Sequence, residues 1–228
     1  MEVTKNKDIS IGYVINERKL IEIDSIFKEV SSDIEYSVSC LDGTSINFNS
    51  LDELISYPNR KEKQYTSISI SNNYSSSIRI SLTLSNRQYS TISYRVNGDE
   101  KEVDFYARKI EEVIYSLRQW YSFLSVPSFV VHVLFISIFS IIAALLLSSF
   151  GILTADTSIY IALPITIVNT FIYDKVRQNL FPVATFELGD GIDRAKFKNT
   201  LRAGILVSIF LTGIVGYLVN QLPSFIGN

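Results

Sequence analysis

The side chains best suited to catalysis are scarce in this chain of 228 residues: Cys40 is its one cysteine and His132 its one histidine. One thiol cannot close a disulfide within the chain, and a lone thiol with a lone imidazole falls short of a structural zinc site. With the imidazole at position 132, no Cys–His pair or Ser–His–Asp triad can be assembled within the N-terminal half. No nucleophile stands beside a base, no carboxylate pair sits on a recognisable motif, and no metal-ligand spacing recurs. The sequence therefore predicts a protein that is not an enzyme and takes no cofactor or metal.

The other distinctive residues position rather than react. Phe181, Pro182, Phe186 and Leu188 make the 180–191 segment more apolar than a solvated loop, and Gly189 and Gly191 permit a tight turn before a helix. Glycines ahead of a helix can hold phosphate, but Glu187, Asp190 and Asp193 would repel it. The segment reads instead as a coupling loop that lies in an interface or docks on the N-terminal domain.

What must position that loop is divided sharply by charge. Residues 1–124 hold 15 Lys+Arg and 18 Asp+Glu, a balance of 15 − 18 = −3, whereas residues 125–228 hold 6 and 5. Neither half is basic enough to suggest nucleic acid as a partner. Between Arg118 and Asp156 there is no charged side chain, and a helix needs about 20 apolar residues to cross a bilayer. The predicted organisation is an α+β domain over 1–124, a short linker at 125–128, and a three-helix transmembrane region. Its spans are 129–150, 157–173 and 203–222, with a loop and amphipathic helix over 174–202. Span two is short and contains Pro164 and Asn169. The first thirty residues lack the apolar core of a secretory signal. Lysines and arginines precede span one and separate spans two and three, but are missing from 148–158 and from the tail. The positive-inside rule then predicts a multi-pass inner-membrane protein with a cytoplasmic N-terminus and its C-terminus outside.

Within the N-terminal domain, 8–15 reads as a strand and Asn16 as the cap of an amphipathic helix through Val30. Alternation of Ile34, Tyr36, Val38 and Cys40 marks another strand, and Asp42-Gly43 suggests a type I′ hairpin to 44–48. Ser50-Leu-Asp-Glu53 has the form of a capping box opening a short helix. Strands follow over 66–71, 78–84 and 91–96, with Asn97-Gly98-Asp99 closing the sheet and capping a helix to Leu124. The order predicts about three helices on one face of a mainly antiparallel sheet. With a four-residue linker, Trp120, Tyr121 and Phe123 are expected at headgroup depth.

Small residues recur at four-residue spacing: Ser140, Ala144 and Ser148; Ala162, Thr166 and Thr170; Gly204, Ser208, Thr212 and Gly216. Such stripes allow close helix contact. Packing within one protomer and assembly of a homo-oligomer, whose hydroxyls and Asn169 line a pore, both fit this pattern. His132, near the cytoplasmic end of span one, is either a functional group or a passively bonded one.

In the order of its parts the chain resembles small bacterial membrane-anchored effectors of antiviral defence, which join a cytoplasmic sensing domain to a few membrane helices. The resemblance implies a sensor or effector whose domain binds a small signal ligand or a cytoplasmic protein partner and controls oligomerisation or opening of helices in the lipid bilayer. A non-gating anchor or accessory subunit recruiting a soluble partner is the alternative.

Overall fold

A computed structural model describes residues 2–72, 77–87, 90–126, 133, 137, 173, 175 and 177–226. The elements run β1 (Glu2–Ile9), β2 (Tyr13–Asn16), α1 (Glu17–Val30), β3 (Ile34–Cys40), β4 (Ser45–Phe48), α2 (Leu51–Ser56), β5 (Tyr65–Asn72), β6 (Arg79–Ser85), β7 (Ile92–Asp99), α3 (Glu100–Ser116), α4 (Ser122–Ser125), β8 (Ala184–Glu187) and α5 (Gly191–Ile226). The first sheet has six strands in the order β1-β7-β6-β5-β3-β4, every neighbour antiparallel. A second sheet pairs β2 with β8 in parallel.

Alternation builds the large sheet. Tyr36 and Val38, Ile68 and Ile70, Ile80 and Leu82, and Tyr94 and Val96 all point to one face and are buried. Their neighbours in sequence are mostly serine, threonine or asparagine and point away from it. Against the apolar face lie Leu20, Ile23 and Phe27 of α1 and Val103, Ala107, Ile110 and Ile114 of α3. Burying each large aliphatic side chain stabilises the fold by about 1.5–3 kcal/mol, which makes this layer the core.

Local signals act as their chemistry dictates. Asn16 accepts a hydrogen bond from the Lys19 amide at 3.0 Å and starts α1. Ser50 accepts from the Glu53 amide, and the Glu53 carboxylate accepts from the Asn49 amide, fixing α2. The β3–β4 turn departs from type I′: only Gly43 has positive φ, at 84°, and Asp42 does not. The Gly43 amide donates to the Cys40 carbonyl, and Asp42 accepts from the Thr44 amide, so the loop is 41–43 with a single glycine at its close. The stretch 8–15 is two strands in different sheets, and Asn97-Gly98-Asp99 lies inside β7, because β1 pairs with it to the end. Helix α3 ends at Ser116 rather than Leu124.

The transmembrane part of the predicted fold class is corrected. Among the described residues no helix is long and apolar enough to cross a membrane. The separate third span expected at 203–222 is instead the continuation of α5. That helix starts twelve residues earlier, at Gly191, and its first turns carry Asp193, Arg194, Lys196, Lys198 and Arg202. The three-span topology, the inner-membrane placement and the assignment of the two termini to opposite sides of a membrane fall with this finding. The stretches 129–150 and 157–173 lie, but for single positions, outside the described residues.

Candidate functional site

The site grows from strand β2. Tyr13 and Ile15 are fully buried, and the strand's open edge is filled by a segment about 170 positions later in the chain. Tyr13 pairs with Ala184 and Ile15 with Phe186, and the Tyr13 amide donates to the Val183 carbonyl at 2.9 Å. Phe186 meets Tyr13 edge-on at 6.3 Å between ring centroids, and Tyr65 at 6.4 Å. These contacts place Phe186 and Leu188 in the same core as the six-stranded sheet.

Asn59 fastens the segment. Its side chain, 1% exposed, donates to the Phe186 carbonyl at 3.2 Å and accepts from the Tyr65 amide at 3.0 Å. Gly191 fits beside it because a Cβ there would strike the Phe186 carbonyl oxygen and come within 2.6 Å of the Asn59 amide nitrogen. Gly189 turns the chain with φ +49°, with the backbone of Pro58 and Asn59 close against it. Both glycines therefore serve the passage from β8 into α5.

Two buried cations flank this joint. Arg177 donates to the Ser125 carbonyl at 2.7 Å. Arg202 lies over the Tyr121 ring, 4.2 Å from its centroid, and donates to Asn199 at 2.8 Å and to the Leu180 carbonyl. Burial pushes the Tyr121 phenol up, opposed by Arg202 and Thr185 nearby. The hydroxyls of Tyr121 and Thr185 are nevertheless buried without completing a hydrogen bond. Burial raises the Glu187 carboxyl above its usual range, and Arg202 draws it partly back. Burial also lowers Lys198, reinforced by Arg202 and Arg194. The joint thus carries polar groups that are poorly compensated, each of which costs about 1–3 kcal/mol when left unpaired.

Beside the joint, a cleft of about 630 Å³ separates the start of α1 from the start of α5. Ile21, Ile55, Leu188 and Ile192 line it together with Asn16, Glu17, Arg18, Glu187 and Gly189. That volume lies within the usual range for small-molecule sites, about 300–1,000 Å³.

Of the coupling-loop residues, Phe186 and Gly191 are buried, Phe181 and Pro182 half-buried, and Gly189 exposed at the turn. Phe181 packs against Tyr121 at 5.8 Å. The three aromatics expected to act together part company: Tyr121 is 1% exposed, while Trp120 and Phe123 are 60% and 58% exposed. Of the last small-residue stripe, Gly204 and Ser208 lie on an exposed side of α5, with the Ser208 hydroxyl donating to the Gly204 carbonyl at 2.8 Å. Thr212 and Gly216 fall on the same helix. The residues Ser140, Ala144, Ser148, Ala162, Thr166 and Thr170, with His132 and Asn169, lie outside the described residues. The linker 125–128 begins packed rather than loose, for Ser125 is fully buried against Gly12. Cys40 is buried and its thiol is held above its usual range, chiefly by burial. Among the described residues no group of three metal-ligating side chains comes together.

Asn59, Tyr13, Tyr65, Arg177 and Arg202 were not singled out from the sequence. Asn59 reads there as half of a Pro-Asn turn, and the arginines read only as charge. No family model, curated protein or solved structure matches the chain.

Proposed function

We propose that the α+β domain is a signal-responsive module whose bound state is passed to α5 through the docked segment 181–191. The observation that carries this reading is a single stretch, β8, that is core to the domain at one end and runs into α5 after a three-residue turn. A ligand or protein segment in the neighbouring cleft would touch α1, α2 and the β8–α5 turn together, and so would change how firmly β8 is held. The output is assembly of copies through α5. Phe197, Leu201, Val207 and Leu211 leave that helix with exposed apolar side chains, and the first two are 70% and 44% exposed.

Weakening the joint tests the reading. In Asn59→Ala and Gly191→Ala, amide exchange across 184–187 should accelerate, and the assembly measured by sedimentation should change with it. Released β8 amides with an unaltered assembly would reduce the joint to a structural clasp and end the relay reading.

A further inference from the structure

The large sheet ends in two unlike edges. Its β1 edge carries Glu2, Lys5, Lys7 and Asp8, and charged side chains of this kind keep an open strand from pairing with another chain. Its β4 edge has no such protection: from Gly43 to Leu51 there is no charged residue. Ser45 and Asn47 are exposed there, and Ile46 is half-buried at the margin of the core. The hairpin fixes which backbone groups this edge offers. The Cys40 amide donates to the Thr44 carbonyl, and the register then makes Val38–Ile46 and Tyr36–Phe48 the hydrogen-bonded pairs within it. By the alternation of an antiparallel ladder, the amides and carbonyls of Ser45 and Asn47 point away from β3, and no described residue bonds to them.

We propose that the β4 edge is a self-association surface, on which a second copy of this chain adds its own β4 antiparallel. The two-fold axis stands perpendicular to the sheet and passes between the two Ile46 residues. Ser45 then lies opposite the partner's Asn47, and Asn47 opposite the partner's Ser45, so every outward amide and carbonyl of both strands finds a bond. Ile46 meets the partner's Ile46 as a non-hydrogen-bonded pair, the kind whose side chains approach most closely. The contact lies on the face that already carries the core, so pairing covers the part of Ile46 that one copy leaves open. This register sets no charge against another. On β1 the same symmetry fails, because a register centred on Lys5 or on Asn6 sets lysine against lysine. The edge is thus complementary to itself, which is what selects a second copy as its occupant. This inference goes beyond the relay reading and is independent of it, because it uses no residue of β8 or α5.

Sedimentation of the full-length chain, over a concentration series reaching about 1 mM, is the test. Self-association should weaken about tenfold or more in Asn47→Pro, which removes one outward amide from each copy and leaves the bonds to β3 in place. Ser45→Lys, a change of one exposed side chain, should weaken it likewise by giving this edge the charge that β1 carries. A melting temperature matching the parent's in dilute solution verifies that the variants fold. Oxidation of Ile46→Cys should link two copies, because a non-hydrogen-bonded pair brings its Cα atoms to about 4.5 Å. Ser45→Cys, whose two copies stand diagonal to one another, should link far more slowly. A parent chain that stays monomeric throughout, or association that survives both Asn47→Pro and Ser45→Lys, would overturn the proposal. Equal linking in the two cysteine variants would overturn the two-fold register.

Discussion

Asp24 illustrates what a single buried charge demands. It is 3% exposed on α1, accepts from the Tyr36 hydroxyl beneath it, and pairs with Lys28 one turn along at 2.6 Å. Burial and the carboxylate together push the Tyr36 phenol well above its usual range, so it donates at every ordinary pH. Asp24→Ala would strand that hydroxyl in the core and free a lysine that is itself exposed. The cost should therefore come mainly from Tyr36, about 1–3 kcal/mol by urea unfolding, and Tyr36→Phe in the same background should recover part of it. A double variant no better than the single one would mean that the hydroxyl finds water instead.

At the scale of elements, the link between β1, β7 and α3 is a carboxylate. Glu111 of α3 accepts from the Tyr94 hydroxyl of β7 and from the Lys7 ammonium of β1 at 3.0 Å. The Tyr94 hydrogen bond, then Lys7, hold its carboxyl below the ordinary value of 4.5. Its folded value is thus lower than its unfolded one, so the stabilisation is present above 4.5 and fades as pH falls through the depressed value. The stability gap between the parent chain and Glu111→Gln should accordingly shrink on acidification below 4.5. A gap that stays constant from neutral to acid pH would assign it to shape alone. These elements also show what the sequence makes legible. Asn16, Ser50 and the alternating isoleucines act through contacts a few residues apart, and these signals identify α1, α2 and five of the six strands of the large sheet. The missed part of β1 is its first six residues, Glu-Val-Thr-Lys-Asn-Lys, in an edge strand whose lysines reach across to α3, so it lacks the alternation of a buried strand. For β8 no local pattern suffices: four residues become a strand only because Tyr13 and Ile15 wait beside them. The apolar run 203–222 suggests an independent span because hydropathy carries no information on the charged turns of α5 that lead into it.

For the molecule as a whole, the N-terminal domain is not complete at its own end. Phe186 and Leu188 fill space beside Tyr13, Tyr65 and Asn59 that residues 1–126 cannot fill themselves. A chain truncated after Val126 should retain the six-stranded sheet but lose about 3–5 kcal/mol, the usual cost of removing one large buried side chain, read as a lower urea midpoint. Equal midpoints would show that β8 merely rests on a finished core.

The parallel pairing of β2 with β8 also orders events during synthesis. A nascent chain emerges with β2 early and must carry its unpaired edge until the ribosome has delivered residues 184–187. Until then that strand is a vacancy any extended peptide could occupy. The delay before it closes is set by the length of the intervening polypeptide.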